Sequence, residues 1–176
     1  MKRYRVLIAA MAIALALAGC LSAGAEKPIV GSPDPDARVA ADFKIDLIDG
    51  GSFTLSAALA DRPVVINFWA SWCPPCRQEM PDLEQVSRDV PGVKFIGIAI
   101  DDTEANAASY ARQIGVTYPI AVDTNYAISD AYGIHVLPQT WLVTQNGTIV
   151  RTIQGGVTRA SLTRYIEEDL GVSAGS

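Results

Sequence analysis

The sequence predicts an α/β domain in which helices flank a mixed central β-sheet. Short apolar runs rich in β-branched and aromatic residues, typical of buried strands, occur at 64–69 and 93–100. Segments with apolar residues at helical spacing follow both runs. An Asn-Gly pair at 146–147 separates two further β-branched runs, which is typical of an antiparallel hairpin. Parallel strands joined by helices and completed by a hairpin form a mixed sheet.

The first part of the domain is expected to be a β-hairpin followed by a short helix. Apolar and polar residues alternate over 43–47, and the segment 52–55 returns after the turn at 49–51. Ser56 can cap a short helix at 57–60. The buried strand 64–69 follows this helix.

The remaining elements alternate between helix and strand before the terminal hairpin. The helix after Cys76 contains Pro81, which must remove one backbone hydrogen bond. Thr103 can cap the next helix and Gly115 can end it. The expected elements after the first helix are a strand at 93–100, a helix at 103–114, an extended segment at 118–122, a helix at 125–132, hairpin strands at 140–144 and 149–153, and a final helix over 162–170.

Composition restricts the classes of function. The chain has 176 residues, 49% of them hydrophobic, and a formal net charge of -5. An acidic chain without a basic patch interleaved with aromatic residues predicts no nucleic-acid partner. The sequence also suggests no cofactor and no metal ion.

The N-terminal segment has the composition of an export signal. Residues 1–5 are basic, residues 6–18 are uninterruptedly apolar, and Gly19 and Cys20 end the run. The run is shorter than the roughly 20 apolar residues of a transmembrane helix. We therefore expect a signal peptide at 1–19 and a domain outside the cytoplasm, where disulfides persist.

The end of this segment, Leu17-Ala18-Gly19-Cys20, resembles the lipobox of bacterial lipoproteins. The resemblance implies cleavage before Cys20 and attachment of lipid to it; the alternatives are an ordinary signal peptide and an uncleaved anchor. Residues 20–40, rich in Gly, Pro, Ser and Asp, would be the lipidated cysteine and a flexible tether. The folded domain is expected at 41–172.

Two cysteines, Cys73 and Cys76, carry the strongest chemical signal. They lie where a strand ends and a helix begins, and there unpaired N–H groups and the helix dipole favour a thiolate. This predicts that Cys73 is the nucleophile and the more acidic and exposed thiol, and that a shielded Cys76 resolves the mixed disulfide. The alternatives are a structural disulfide and half of a zinc site, for which Cys20 and His135 are the other candidate ligands.

Two stretches resemble the thioredoxin superfamily, and most closely its membrane-tethered TlpA/ResA-like branch, which includes the cytochrome c maturation thioredoxins of the CcmG/DsbE type. The resemblance covers roughly residues 42–170 and implies a thioredoxin-like fold with an N-terminal hairpin and an inserted helix at 103–114. The stretches are Asn67-Phe68-Trp69-Ala70-Ser71-Trp72-Cys73-Pro74-Pro75-Cys76-Arg77, with Glu79, Met80 and Pro81 after it, and Tyr132-Gly133-Ile134-His135-Val136-Leu137-Pro138-Gln139-Thr140.

The resemblance assigns roles within the site. It makes Cys73 the attacking thiol and Cys76 the resolving thiol. Pro138 takes the place of the family's cis-proline, which would hold the Leu137 backbone beside the Cys73 sulfur. The residues that the resemblance implies for docking and support of the site are Trp72, Pro74, Pro75, Glu79, Leu137 and Pro138.

Two polar residues near the cysteines depart from plain thioredoxin. Plain thioredoxins carry a buried aspartate at the position of Asn67, and an amide cannot take up a proton. In the TlpA/ResA-like branch a glutamate at the position of Glu79 belongs to the active site. The alternative for Glu79 is a solvated surface carboxylate. His135 is expected to be an ordinary loop residue.

The resemblance implies an enzyme, an extracytoplasmic and membrane-anchored thiol–disulfide oxidoreductase. It would mostly reduce disulfides in exported proteins, with apocytochrome c as one candidate client and a membrane electron donor of the CcdA/DsbD type. The first alternative is a thiol peroxidase of the peroxiredoxin type. Ala70-Ser71-Trp72 precede Cys73 in place of the threonine and proline of peroxidases, which counts against it. The second is a non-enzymatic, partner-binding lipoprotein with a structural disulfide.

Overall fold

The structure is a computed structural model, and it describes residues 38–175. The predicted signal peptide, Cys20 and the tether up to residue 37 lie outside the described residues, and they remain predictions. None of the helices between residues 38 and 175 combines the length and the apolar character that a membrane span requires.

The described residues form strands and helices in nearly the predicted order. The elements are β1 (Lys44–Asp46), β2 (Ser52–Thr54), α1 (Leu55–Leu59), β3 (Val64–Trp69), α2 (Pro74–Asp89), β4 (Lys94–Ala99), α3 (Glu104–Ile114), β5 (Ile120–Val122), α4 (Ala127–Tyr132), β6 (Gln139–Val143), β7 (Ile149–Gln154) and α5 (Arg159–Leu170).

The central sheet is mixed, as predicted. Its strand order is β5-β4-β3-β6-β7. Strands β3, β4 and β5 are parallel, whereas β6 is antiparallel to both β3 and β7. The hairpin β1–β2 extends the β5 edge through a hydrogen bond from the Ile48 amide to the Ile120 carbonyl. The carboxyl ends of β3 and β4 and the start of β6 therefore meet at one end of the sheet.

Helices cover both faces of the sheet because β3 is apolar on both sides. Its odd-numbered residues Val65 and Trp69 pack in a cluster with α2, α3 and α5. Its even-numbered residues pack in a second cluster with α1 and α4. The two clusters place the start of α2 directly beyond the carboxyl end of β3.

The structure corrects two predicted helix starts. Helix α1 begins at Leu55, so Ser56 lies within the helix and does not cap it. The Asp42 carboxylate performs that role instead, since it accepts a hydrogen bond from the Ser56 amide at 2.8 Å. Helix α4 begins at Ala127, two residues later than predicted, because Tyr126 adopts a left-handed conformation with φ of 60°.

Helix α2 continues through Pro81 to Asp89. Pro81 has no N–H to donate to the carbonyl of Arg77, four residues earlier. The Tyr110 hydroxyl of α3 donates to that carbonyl at 2.9 Å. A side chain of a neighbouring helix thus satisfies the acceptor that the proline leaves free, and α2 runs on past the Cys-x-x-Cys turn.

Candidate active site

Cys73 is the N-cap residue of α2, and two prolines follow it. Proline suits the first helical positions because their amides have no partner within the helix. With Pro74 and Pro75 there, the first available helix amide is that of Cys76, which donates to the Cys73 sulfur at 3.3 Å. The sulfur therefore lies at the positive end of the helix dipole, an environment that favours a thiolate.

Cys73 and Cys76 form a disulfide, with 5.3 Å between their Cα atoms. Both cysteines are buried in the disulfide form, with exposed fractions of 3% for Cys73 and 0% for Cys76. The two cysteines differ in what lies beside them. Cys73 borders a cleft of about 400 Å³ that the loop before β6 closes from the other side, whereas Cys76 is not among the cleft's lining residues.

The loop before β6 contains the predicted cis peptide bond, between Leu137 and Pro138. Leu137 lines the cleft opposite Cys73, together with Ile134 and His135. The loop is held in place from β7, since the Gly155 amide donates to the Pro138 carbonyl at 2.9 Å. This loop covers Cys73 on one side and contributes to the low exposure of the residue.

The rim of the cleft carries exposed apolar side chains beside the polar Asp101 and His135. Trp72 is 57% exposed and Val136 is 53% exposed, on opposite sides of the cleft. Pro74 and Pro75 line the same cleft. The site thus combines a buried disulfide with an exposed apolar rim, onto which an extended segment of another protein could pack.

Two aspartates that the sequence analysis did not single out hold the segment before Cys73. The Trp72 indole donates to the Asp101 carbonyl at 2.8 Å, and the Ser71 amide donates to the Asp102 carboxylate at 2.6 Å. The Tyr126 hydroxyl donates to the Asp101 carboxylate at 3.1 Å. The sequence signal for Asp101 and Asp102 was their position directly after β4, at the carboxyl end of a parallel strand.

Glu79 is buried, so the alternative of a solvated surface carboxylate was wrong. Its side chain is 2% exposed and lies one helical turn after Cys76. One carboxylate oxygen accepts a hydrogen bond from the Asn67 amide at 2.8 Å, and the other accepts from the Val157 backbone N–H at 2.9 Å. Burial raises the pKa of Glu79 to about 7, although both hydrogen bonds act in the opposite direction.

Asn67 connects Glu79 to the sheet. Its amide nitrogen also donates to the Thr140 hydroxyl at 3.2 Å, and Thr140 is its cross-strand partner on β6. The amide oxygen of Asn67 is buried and has no hydrogen-bond partner. In the sequence Asn67 stood out only as the replacement of an acid, and Thr140 had no predicted role; a polar residue in the middle of an apolar strand was the available signal.

A disulfide at a helix N-terminus, facing a cis-proline loop at the end of a mixed sheet, defines a thioredoxin-like thiol–disulfide oxidoreductase. The sequence model of the AhpC/TSA family matches residues 37–152. The thiol-disulfide oxidoreductase ResA of Halalkalibacterium halodurans is 32% identical over 130 residues, which are 73% of each chain.

Solved structures agree with this class. A thiol:disulfide interchange protein of the thioredoxin family from Chlorobium tepidum superposes with a TM-score of 0.71 at 30% identity, covering 78% of this chain and 99% of that one. A second protein of that organism, described as a putative thiol:disulfide interchange protein DsbE, gives a TM-score of 0.70 at 26% identity, covering 77% and 97%. The chain belongs to the AhpC/TSA family and, within it, to the thiol–disulfide oxidoreductases of the ResA type.

Proposed function

We propose that this protein reduces disulfides in exported proteins from a lipid anchor on Cys20, with Cys73 and Cys76 as its redox pair. The observation that carries the proposal is the Cys73–Cys76 disulfide, which borders an open cleft beside the cis Leu137–Pro138 bond. Trp72, Pro74, Pro75 and the cis-proline loop supply the docking surface around it.

The reduction requires two exchange steps. In the reduced protein the Cys73 thiolate attacks one sulfur of the client disulfide; a mixed disulfide forms and the client's other sulfur leaves as a thiolate. Cys76 then loses its proton to Glu79 and attacks the Cys73 sulfur. This step forms the Cys73–Cys76 disulfide and releases the second client sulfur, so two electrons pass to the client.

The oxidised protein must then be reduced again. We propose a membrane electron donor of the CcdA/DsbD type, and apocytochrome c among the clients. The similarity to ResA and DsbE proteins supports a role of the kind found in this branch of the superfamily. The apolar rim of the cleft suits an unfolded client, because such a client presents extended apolar segments around its cysteines.

The start of the described chain lies at the end of the sheet opposite the cleft. The Ala40 amide donates to the Gly147 carbonyl at 2.9 Å, and the Ile149 amide donates to the Arg38 carbonyl at 2.8 Å. These residues lie at the β6–β7 turn. Strand β6 runs from Gln139, beside the cleft, to Val143, beside this turn.

We expect Cys20→Ser to release the protein from the membrane fraction. Without the thiol no lipid can be attached at this position, and a stable anchor of this kind requires more than one acyl chain. Fractionation of cells that express either form measures the effect, with Ser22→Ala as a control that preserves the cysteine. A wild-type protein that fractionates as soluble would contradict the lipid anchor.

Reduction of insulin with dithiothreitol as electron source tests the proposed activity. A reductase should accelerate the precipitation of insulin chains well above the rate with dithiothreitol alone. A binding protein with a structural disulfide would give no rate above that background. A parallel assay of peroxide consumption tests the peroxidase alternative, which predicts turnover of peroxide in place of insulin.

A further inference from the structure

Strand β3 contains one polar side chain in an apolar environment. Asn67 lies between Val65 and Trp69 on the face that α2 covers, and both neighbours are fully buried. A buried amide without hydrogen bonds would destabilise the fold, so its partners indicate what the residue does. Asn67 has two hydrogen-bond partners, on two different elements.

Both protons of the Asn67 amide nitrogen are used. One is donated to Glu79 on α2 and the other to Thr140 on β6. Thr140 is the direct cross-strand neighbour of Asn67, so the position of its hydroxyl is set by the register of the sheet. The hydroxyl fixes the plane of the amide, and the amide in turn fixes the Glu79 carboxylate.

Few other groups can influence this carboxylate. Within residues 38–175 no basic side chain forms an ion pair with Glu79. Besides Asn67, the Val157 amide from the β7–α5 loop and Tyr118 from the segment before β5 interact with it, and Cys76 comes one turn earlier on α2. Tyr118 is buried and interacts electrostatically with Glu79, but no hydrogen bond joins the two residues.

We propose that Asn67, held by Thr140, is the positioning residue that fixes the Glu79 carboxyl group and favours its ionised form. The proposal rests on the proposed role of Glu79 as proton acceptor for Cys76. It assigns to the strand residue a task different from that of the aspartate in plain thioredoxins: Asn67 carries no proton and controls the residue that does.

An amide in the observed orientation favours the ionised form of its partner. As observed, its nitrogen donates to the carboxylate. A half-turn about its terminal bond would let the oxygen accept the proton of a neutral Glu79, but it would move both N–H protons to a buried place without a hydrogen-bond partner. An aspartate at this position would repel the carboxylate, and a leucine would leave it with the Val157 amide alone.

The test is an infrared titration of the Glu79 carboxyl group in the oxidised, full-length protein, without client or electron donor. Glu79→Gln identifies the band, because it removes it. Asn67→Leu removes a hydrogen bond to a charged group and should raise the midpoint by about one pH unit. Thr140→Val should raise it by a smaller amount, and Thr140→Ser, which keeps the hydroxyl, should leave it near the wild-type value.

An unchanged midpoint in folded Asn67→Leu would overturn the proposal. If that variant does not fold, the comparison of Thr140→Val with Thr140→Ser decides, and equal midpoints would overturn it. The titration does not depend on the redox activity. A shifted midpoint together with failure to reduce insulin would therefore refute the proposed function and leave the positioning role intact.

Discussion

Cys76→Ser is expected to accumulate mixed disulfides with client proteins, whereas Cys73→Ser should accumulate almost none and lose all reductase activity. Cys73 borders the cleft and caps α2, so its sulfur can reach a client and is stabilised as a thiolate. Cys76 is fully buried and is absent from the cleft lining. Release of the client requires the second thiol, so its loss stops the reaction at the covalent complex.

Non-reducing electrophoresis of whole cells measures the trapped complexes, which should disappear when reductant is added. The double variant with serine at both positions is the matched control and should trap nothing. The trapped proteins would also identify the pathway, since apocytochrome c among them would support a maturation role. If Cys73→Ser traps clients as well as Cys76→Ser does, the order of attack proposed here is wrong.

Glu79→Gln is expected to change the pH dependence of the thiol pair. Glu79 lies one turn from Cys76, and its pKa of about 7 lets it gain or lose a proton near neutral pH. A carboxylate there disfavours a nearby thiolate. In the reduced protein, alkylation of Cys73 should therefore extend to lower pH when the charge is removed, while release of clients by Cys76 should slow for lack of a proton acceptor.

Alkylation with a thiol reagent over a range of pH measures the first effect, and single-turnover reduction of a peptide disulfide measures the second. Asp82→Asn, which removes the charge of a half-buried carboxylate elsewhere on the same helix, is the matched control. Alkylation and release profiles that coincide with those of the wild-type protein would remove Glu79 from the mechanism.

The same substitution should change the pH dependence of stability. Glu79 titrates at about 7 in the folded protein, above its ordinary value of 4.5. Its contribution to stability is therefore fully present below pH 4.5 and is lost as the pH rises through 7. The loss amounts to about 3 kcal/mol between these limits. Gln does not titrate. The free energy of unfolding of Glu79→Gln, relative to that of the wild-type protein, should therefore rise by about this amount between pH 4 and pH 8.

The features of the site that depend on neighbouring residues in the chain could be predicted from the sequence. Three signals place the cysteines at the start of α2: the apolar run of β3, the two prolines, and the helical spacing after Cys76. All three lie close to the disulfide in the sequence. The cis bond at Pro138 followed from a resemblance over a continuous stretch. Short-range patterns and motifs were sufficient for both.

The polar contacts behind the disulfide could not be predicted in the same way. Asn67 and Glu79 are 12 residues apart, and Asn67 and Thr140 are 73 residues apart. Their contact depends on the register of β3 against β6 and on how α2 lies on the sheet. The burial of Cys73 likewise depends on a loop that follows it by more than sixty residues. Such properties arise from packing, and a spacing pattern does not encode them.

The midpoint potential of the Cys73–Cys76 couple tests the central claim most directly. Equilibration of the protein in graded thiol–disulfide buffers, followed by quantification of free thiols, gives this value. A reductase should have a potential close to that of thioredoxin, about -270 mV, so that it can donate electrons to client disulfides. A value near -120 mV, the potential of a strong oxidant, would contradict the account and make the protein a donor of disulfides.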